Sequence, residues 1–500
     1  MTNLCIHGHF YQPPRENPWT GEIEKQKSAA PFHDWNEKIW SECYEPNTHS
    51  QIINDDKVIV AEINNFDFLN FNFGPTLLHW LKRKHPETYK HIIDADARSV
   101  CEHNGHGNAI AMCYNHMIMP LANEHDKETQ IKWALTDFKF HFGRESEGIW
   151  LPETACNENT LESLCRENIS YTILDSSQAL KISKFHSNIS LDVSNGNINT
   201  LHPYRWFSKI NSSKFIDIFF YNGPVSKAIA FNDALMSSEN LLHKINEAII
   251  RDYNKLHLVS VATDGETFGH HKKLGERTLA FFLKVLATQN NINIVNYGEY
   301  LQKDPPQFEV QIKPGEGTSW SCVHGVKRWA DDCGCGGGDG WNQKWRKPLR
   351  DALNWLRDEL IIIFETEGRK YFKNVWSARN DYILLLNDAT SRKEFFQKKS
   401  CKKLSAKKEL KAIELLEMQK YSMFMFTSCG WFFSEISGIE TVKILEYASR
   451  AMELAKNICG AKLEKKFLSL LEKAPSNIKK YMNGKKIYEE LVLSEKQIHV

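Results

Sequence analysis

Two carboxylates each follow a short apolar run that is typical of a buried strand. Glu153 comes directly after residues 148–152, and Asp264 comes directly after residues 258–263. Parallel α/β folds place catalytic groups where their strands end and their loops begin. A pair of such carboxylates suits glycoside chemistry, which needs one proton donor and one nucleophile or base. Taken singly, each carboxylate is equally typical of a helix N-cap or a turn.

Two histidines stand at the end of the first predicted strand, residues 4–6, in the run His7-Gly8-His9. Alternate residues of a strand share a face, so the two imidazoles can point in the same direction. Such a pair could bind a metal ion, as in barrel hydrolases. It could equally bind sugar hydroxyls, because a neutral imidazole both donates and accepts hydrogen bonds. A buried pair with its own protein partners is the third interpretation that the sequence leaves open.

The segment 264–271 contains two carboxylates and two imidazoles, among them Asp264, Glu266 and His270. Such a density of ionisable groups is typical of a functional site. A polar loop before a helix that begins near Leu274 is the alternative. A proton donor at neutral pH needs a raised pKa, from burial or from a nearby anion, and we expect Glu153 to supply that anion.

Four residues between positions 322 and 335 have the side-chain types of a zinc site: Cys322, His324, Cys333 and Cys335. Their spacing is irregular and the Cys-Gly-Cys run is unusual for zinc. We therefore favour a glycine-rich loop near the substrate cleft, and we predict neither a metal ion nor a cofactor. The aromatic run 428–433, which includes Trp431, is interpreted as core packing or as a platform for a sugar ring.

Strands and helices alternate through the first three hundred residues, which predicts a parallel sheet, either an open doubly wound sheet or a closed barrel. The predicted strands are residues 4–6, 58–63, 171–174, 215–221, 258–263 and 292–295, and the predicted helices are 76–84, 241–253 and 278–289. The run Asp304-Pro305-Pro306 marks a boundary, and apolar spacing after it predicts helices at 348–367, 381–387, 407–426 and 441–457. We predict a catalytic domain at 1–303, a Gly/Cys/Trp-rich segment at 304–346 and a helical domain at 347–500.

The composition narrows the classes of partner. The chain has 500 residues and a net charge of +1, from 63 basic and 62 acidic residues. Such a balanced charge predicts no nucleic-acid or membrane partner. The 12 cysteines include no Cys-x-x-Cys pair, and the first residues resemble neither a signal peptide nor a membrane span. We therefore predict a cytoplasmic protein, and we make no prediction of its oligomeric state.

In their order along the chain, four blocks resemble glycoside hydrolase family 57. The blocks are residues 7–13, residues 107–120 with His116, residues 150–153 and residues 263–266. Four ordered blocks are far more specific than any one of them. The fifth block of the family is matched only loosely, by residues 430–435. The helical region resembles the C-terminal extension of one branch of the family.

This resemblance implies an incomplete (β/α)7 barrel followed by a C-terminal α-helical domain. It implies a retaining glycoside hydrolase or transglycosidase for an α-linked oligo- or polysaccharide, as in the amylases, 4-α-glucanotransferases and branching enzymes of the family. Glu153 would be the nucleophile and Asp264 the general acid/base. The residues that the resemblance and the motifs above place on the substrate are His7, His9, Gln12, His116, Trp150, Glu266, His270 and Trp431.

Two other functions stay open. A metal-dependent hydrolase of a sugar or a C–N bond would use His7, His9, Asp264 and His270 as ligands. A glucan-binding protein without turnover would keep the fold alone, although the presence of both Glu153 and Asp264 argues against it.

Overall fold

The computed structural model describes residues 2–53, 56, 58–249, 257–336, 338 and 340–494. The chain divides into two compact units, and each unit is assembled from separate stretches of sequence. The first unit consists of Met1–Gln12, Lys25–Cys113 and His141–Gly315, and the second of Pro13–Glu24, Tyr114–Phe140 and Glu316–Val500. The predicted domain boundaries, which divide the chain at single positions, stay predictions.

The strands of the described residues all lie in the first unit. They are β1 Thr2–Phe10, β2 Ser50–Ile53, β3 Ile59–Ile63, β4 Asn70–Phe73, β5 Ala111–Met112, β6 Gly148–Trp150, β7 Tyr171–Asp175, β8 Ala179–Lys184, β9 Ser190–Asp192, β10 Tyr204–Phe207, β11 Phe215–Tyr221, β12 Leu258–Asp264, β13 Ile292–Ile294 and β14 Phe308–Ile312.

The α-helices continue the alternation that the sequence predicts, and in the described residues from 346 to 494 helices follow one another without strands. They are α1 Trp35–Ile39, α2 Glu45–Thr48, α3 Pro75–Lys84, α4 Pro86–Glu102, α5 Glu124–Phe142, α6 Glu158–Arg166, α7 Gly223–Phe231, α8 Ser238–Ala248, α9 Gly275–Phe281, α10 Ala287–Gln289, α11 Tyr297–Lys303, α12 Arg346–Gly368, α13 Val375–Asp381, α14 Ile383–Leu386, α15 Arg392–Lys399, α16 Ala406–Phe424, α17 Cys429–Phe432, α18 Ile439–Cys459, α19 Glu464–Leu471 and α20 Gly484–Ile487.

The long first strand, β1, forms the centre of one sheet. It pairs in parallel with β12 on one side, and with β13 and β4 on the other. Its residues from Asn3 to Phe10 are all buried. Such an unbroken buried run is what a parallel strand covered on both faces requires, because neither face meets water.

A second sheet has the order β5-β6-β7-β11-β10-β14-β8-β9. Its first four strands run parallel to one another, whereas β10 pairs with β11 in the antiparallel sense. The mixed α/β unit and the helical C-terminal region confirm the coarse fold prediction. The incomplete barrel itself stays a prediction at this point.

One predicted strand has a different role from the one expected. Residues 58–63 were grouped with the parallel series, but β3 pairs only with β2 among the described residues, in an antiparallel ribbon. Its apolar residues Ile59 and Val60 are 52% and 57% exposed. A local apolar run therefore misled the prediction, since its burial depends on the rest of the fold. The predicted helix 241–253 begins close to its expected place as α8, and its end lies outside the described residues.

None of the helices in the described residues combines the length and the apolar character needed to cross a bilayer. The cytoplasmic location stays a prediction.

A buried ion pair stabilises the second unit. The guanidinium of Arg379 on α13 donates to Asp126 at 2.8 Å, to Gln419 at 2.9 Å and to Thr129 at 3.0 Å. Arg379 is 0% exposed and Asp126 is 2% exposed. Loss of the arginine would leave a buried carboxylate without its counter-charge, which is one of the most destabilising changes that a single substitution can cause.

We expect Arg379→Leu to lower the free energy of unfolding of the second unit by about 3–5 kcal/mol, because Asp126 loses its partner. Urea unfolding followed by tryptophan fluorescence measures the loss. The matched control is Arg392→Leu, which removes a more exposed arginine 3.6 Å from Glu409; there the loss should stay below about 1 kcal/mol. Equal unfolding midpoints for the two variants would contradict the expectation.

Candidate active site

The strand β1 positions the two histidines. In the parallel register, His7 lies opposite Asn70 of β4, and His9 lies opposite Asn72. On the other side of β1, His9 lies opposite Asp264. Because residues two apart share a face of the strand, the imidazoles reach the same side together, as the sequence predicts.

Asparagine side chains hold both imidazoles. His7 Nδ1 lies 2.7 Å from Asn70 Oδ1, and His7 Nε2 lies 3.0 Å from Asn72 Oδ1. Asn70 donates from Nδ2 to the carbonyl of Asn108 at 2.8 Å, which fixes its Oδ1 as the acceptor. His7 therefore carries a proton on Nδ1, which it donates to Asn70.

Burial makes both histidines neutral. It lowers the pKa of His7 to about 4 and the pKa of His9 to about 3, against the hydrogen bonds of the asparagines, which favour the charged form. The indole of Trp150 stacks on both rings, with centroids 4.7 Å from His7 and 5.1 Å from His9. Trp150 is itself 0% exposed. Its position favours a supporting role for the imidazoles over direct contact with a sugar.

Glu153 projects from a strained turn at the end of β6. Its backbone is left-handed, with φ 59° and ψ 20°, and the next residue, Thr154, has φ 49°. This conformation is costly for residues that carry a Cβ atom, and surrounding contacts have to maintain it. Strain of this kind concentrates at functional sites, which supports the choice of Glu153 from the sequence.

Gln178 braces that turn. Its Nε2 donates to the carbonyl of Thr154 at 2.8 Å, and its Oε1 accepts from the hydroxyl of Thr154 at 2.9 Å. The same Oε1 accepts from the amide of Asp175 at 2.8 Å, at the end of β7. Gln178 thus ties the Glu153 turn to the neighbouring strand end.

Asp264 is the last residue of β12. Burial, followed by the neighbouring carboxyl groups of Glu266 and Glu153, holds the pKa of Asp264 well above its usual range. The residue as a whole is nevertheless exposed to solvent. The direction of the shift rests on the two adjacent anions as well as on burial, so the solvent contact does not reverse it. A raised pKa favours the protonated form of Asp264, which is the state of a proton donor.

Glu266 is buried and serves as an acceptor. Its Oε1 accepts from the hydroxyl of Tyr44 at 2.7 Å and from the amide of Tyr11 at 2.9 Å. Burial raises the pKa of Glu266 to about 7, and these two hydrogen bonds oppose that rise. The side chain of Gln12 hydrogen-bonds the same tyrosine, Tyr44. Glu266 and Gln12 therefore share a network next to Asp264.

The other predicted residues, His270, His116 and Trp431, have hydrogen-bond partners of their own. His270 is paired with Glu42, at 2.5 Å between Nδ1 and Oε2. His116 and Trp431 belong to the second unit, where Ser428 links them: its hydroxyl lies 2.5 Å from His116 Nδ1, and its carbonyl accepts from the amide of Trp431 at 3.0 Å. His116 is 2% exposed and Trp431 is 0% exposed.

Six residues take part in the hydrogen bonds around His7, the Glu153 turn and Glu266 but were not identified as site residues from the sequence. They are Tyr44, Asn70, Asn72, Asp175, Gln178 and Tyr221. The hydroxyl of Tyr221 donates to Asp175, and the carboxyl of Asp264 helps to raise the pKa of Tyr221. Two of the six were detectable, because Asp175 directly follows the predicted strand 171–174 and Tyr221 ends the predicted strand 215–221. Gln178 closes a capping box with Asp175, a pattern that can also be read from sequence.

The metal-ligand interpretation of this site has little support. Both ring nitrogens of His7 already face asparagine side chains. In the part of the chain that the structure describes, His7, His9, Asp264 and His270 are not among the groups whose ligand atoms come within 4.8 Å of one another.

Comparison with known proteins shows which family the chain belongs to. Residues 6–313 match the model of Glycosyl hydrolase family 57, and residues 341–499 match a domain of unknown function, DUF3536. The first match covers more than half of the 500-residue chain. The chain belongs to glycosyl hydrolase family 57. The resemblance of the four sequence blocks and of the C-terminal extension is thereby confirmed.

Individual members of the family are distant relatives. The fold is similar to that of the exo-type maltose-forming amylase from Pyrococcus sp. ST04, with a TM-score of 0.69, 14% identity and coverage of 99% of this chain and 94% of that chain. The 4-alpha-glucanotransferase of Thermococcus litoralis is 23% identical over 254 residues, 49% of this chain and 34% of that protein. Alpha-amylase 1 of Dictyoglomus thermophilum is 24% identical over 107 residues, 21% of this chain and 15% of that protein. The matched regions thus span about a third or less of these two curated relatives.

We expect Gln178→Leu to loosen the turn that carries Glu153, because Thr154 and Asp175 lose buried hydrogen bonds. Hydrogen exchange of the peptide 151–155 measures local opening, whose free energy should fall by about 1–3 kcal/mol. Gln311→Leu, at an exposed position of β14, is the control and should leave this peptide unchanged. Unchanged exchange in Gln178→Leu would show that other contacts maintain the turn.

Proposed function

We propose that this protein is a retaining glycoside hydrolase or transglycosidase for α-linked glucans, with Glu153 as nucleophile and Asp264 as general acid/base. The observation that carries the proposal is the raised pKa of Asp264, which burial and the carboxyl groups of Glu266 and Glu153 cause. Two carboxyl groups in different protonation states are what double displacement at a glycosidic bond requires. The named activities of the amylase and glucanotransferase relatives support an α-glucan as substrate.

We also infer that seven strands form the incomplete (β/α)7 barrel, namely β1, β4, β5, β6, β7, β11 and β12. Two further links support this closure beyond the two sheets. The amide of Phe71 on β4 donates to the carbonyl of Asn108 at 2.9 Å, just before β5, and the amide of Ile110 donates to the carbonyl of Phe71 at 2.8 Å. The amide of Asn222, after β11, donates to the carbonyl of Ser260 on β12 at 2.7 Å.

The first chemical step forms a covalent intermediate. Glu153 attacks the anomeric carbon while Asp264 gives its proton to the departing glycosidic oxygen. Asp264 begins this step in its protonated form, which burial and the carboxyl groups of Glu266 and Glu153 favour. The transition state carries positive charge on the sugar ring. Since His7 and His9 are neutral, they can bind hydroxyl groups without adding a positive charge, which would destabilise this transition state.

The second step reverses the proton transfer. Once Glu153 is esterified, it no longer bears a charge. One of the two neighbouring charges that disfavour ionisation of Asp264 is then gone, so the carboxylate form of Asp264 becomes more stable. The Asp264 carboxylate then takes a proton from water or from the hydroxyl of an acceptor sugar, which attacks the anomeric carbon and releases Glu153. Two displacements at one carbon restore the original α configuration.

We expect Glu153→Gln and Asp264→Asn each to lower kcat/KM on α-glucans by at least about 100-fold, because each removes one of the two reacting groups. The assay is the release or transfer of sugar on a panel of maltooligosaccharides, amylose and glycogen. Glu147→Gln, which replaces a partly exposed carboxylate paired with His106, is the matched control and should retain activity. Activity in wild type that both catalytic variants keep would refute the assignment.

A substrate with an activated leaving group distinguishes the role of Glu153 as nucleophile from that of Asp264 as proton donor. With an aryl α-glucoside whose leaving group needs no protonation, Asp264→Asn should still form the covalent intermediate, whereas Glu153→Gln should not. Mass spectrometry of the quenched protein detects the intermediate, and NMR of fresh product should show the α anomer. The opposite pattern of trapping would mean that the roles of the two residues are exchanged.

We expect Glu266→Gln to move the alkaline limb of the kcat/KM profile to lower pH, by about one pH unit. Removing the Glu266 charge makes it easier for Asp264 to ionise, so the proton donor is lost at a lower pH. The amide oxygen of the glutamine still accepts from Tyr44 and Tyr11, so the local structure should remain. Glu276→Gln, at another buried carboxyl whose pKa burial raises, is the control and should leave the limb in place. A shift of the limb to higher pH in Glu266→Gln would contradict this account.

A further inference from the structure

The segment between the two family matches contains a second cluster of reactive side chains. Residues 314–340 belong to neither match. Within the second unit, Cys322, His324, Cys333 and Cys335 each bring one ligand atom into a common group, and these atoms all lie within 4.8 Å of one another. The irregular spacing that weakened the zinc interpretation in the sequence does not prevent this convergence.

Two tight turns present the four side chains. In the first, the amide of Gly325 donates to the carbonyl of Cys322 at 3.0 Å, which places Cys322 and His324 in one turn. In the second, the glycine between the cysteines of the pair, Gly334, has φ +70°. There the amide of Cys335 donates to the sulfur of Cys333. The second turn thus places Cys333 and Cys335 beside one another.

The distances match a single tetrahedral ion. Cys322 Sγ lies 4.0 Å from Cys335 Sγ, which in turn lies 3.3 Å from Nδ1 of His324. Zinc bound to sulfur at about 2.3 Å and to nitrogen at about 2.0–2.1 Å separates its ligand atoms by roughly 3.5–3.8 Å. A disulfide would need sulfurs about 2.05 Å apart. The group is also too compact for an iron–sulfur cluster, whose thiolates bind different iron atoms.

A buried arginine balances the charge of the cluster. Three thiolates around a divalent ion leave one negative charge. Arg346 of α12, 1% exposed, donates from Nη1 to Cys333 Sγ at 3.5 Å. Its Nη2 donates to the carbonyls of Phe432 and Phe433, both at 3.3 Å. The carbonyl of Arg346 accepts from the indole of Trp431 at 3.4 Å. The cluster is thereby connected to α12 and to the aromatic run after residue 428.

We propose that Cys322, His324, Cys333 and Cys335 bind one zinc ion as a structural site of the second unit. Four protein ligands close the coordination shell, so no position remains for water or substrate. Binding displaces the thiol protons to solvent, and the imidazole binds in its neutral form. The ion holds the two turns together and fixes Cys333 against Arg346. This proposal replaces the sequence-based interpretation of a metal-free glycine-rich loop.

The test measures metal content of the full chain, purified from zinc-supplemented cells and dialysed. Mass spectrometry of the elements should find about one zinc per chain. The content should fall to near zero in Cys333→Ser/Cys335→Ser. It should stay unchanged in Cys401→Ser/Cys459→Ser, the control, which removes two exposed cysteines of the same unit outside the cluster. The proposal would be overturned by wild-type protein that contains no zinc or by a cluster variant that retains zinc. A Cys322–Cys335 disulfide in a non-reduced peptide map would also overturn it.

A second variant covers the case in which the serine variant does not fold. Cys335→His keeps four donors at a partly exposed position, so the protein should still bind one ion. After replacement of zinc by cobalt, the thiolate-to-cobalt absorption should lose about a third of its intensity, because two thiolates remain of three. Unchanged intensity would show that Cys335 is not a ligand and would overturn the proposal. No part of the test depends on glucan turnover, so its outcome is independent of the proposed function.

Discussion

The candidate site depends on the parallel pairing of β1 with β4 on one side and β12 on the other. This register sets His9 opposite both Asn72 and Asp264, and His7 opposite Asn70. A shift of β1 by one residue would turn both imidazoles to the opposite face of the sheet. Hydrogen bonding on both sides makes such a shift costly. The position of the proton donor relative to the histidines is therefore a property of the core of the first unit.

Electrostatics links the histidines to the protonation of Asp264. Glu266 and Glu153 both oppose ionisation of that carboxyl group. A cationic imidazole on the adjacent strand would offset them, because a nearby positive charge stabilises a carboxylate. Burial lowers the pKa of His9 to about 3, which removes this possibility at neutral pH. Burial of the imidazoles thus helps Asp264 to keep its proton, besides leaving His7 and His9 neutral for hydrogen bonding to hydroxyl groups.

Local patterns in the sequence were sufficient to select Glu153, Asp264 and the pair of histidines, because strand periodicity and strand ends are local features. They did not reveal that β1 and β12 are neighbours, since a pairing between residues 255 positions apart, such as Asn3 and Leu258, has no local signal. The asparagines of β4 were missed for a similar reason. A neutral amide inside a strand becomes functional only through the side chain on the paired strand, here His7 or His9. The strand at 58–63 was wrongly assigned to the parallel series, because apolar composition does not show whether a strand is buried.

The segment 316–345 presents the opposite case, in which the residue types were noticed but their spacing did not reveal that the side chains converge. Among its described residues, the only helix or strand is the three-residue helix Lys327–Trp329. A loop of this length needs some constraint to remain ordered, because each residue fixed without regular hydrogen bonding loses conformational entropy. Spacing rules for zinc come from sites in which short loops carry the ligands. Here a three-residue helix lies between the two turns, and the turns on either side of it bring the four ligand atoms together.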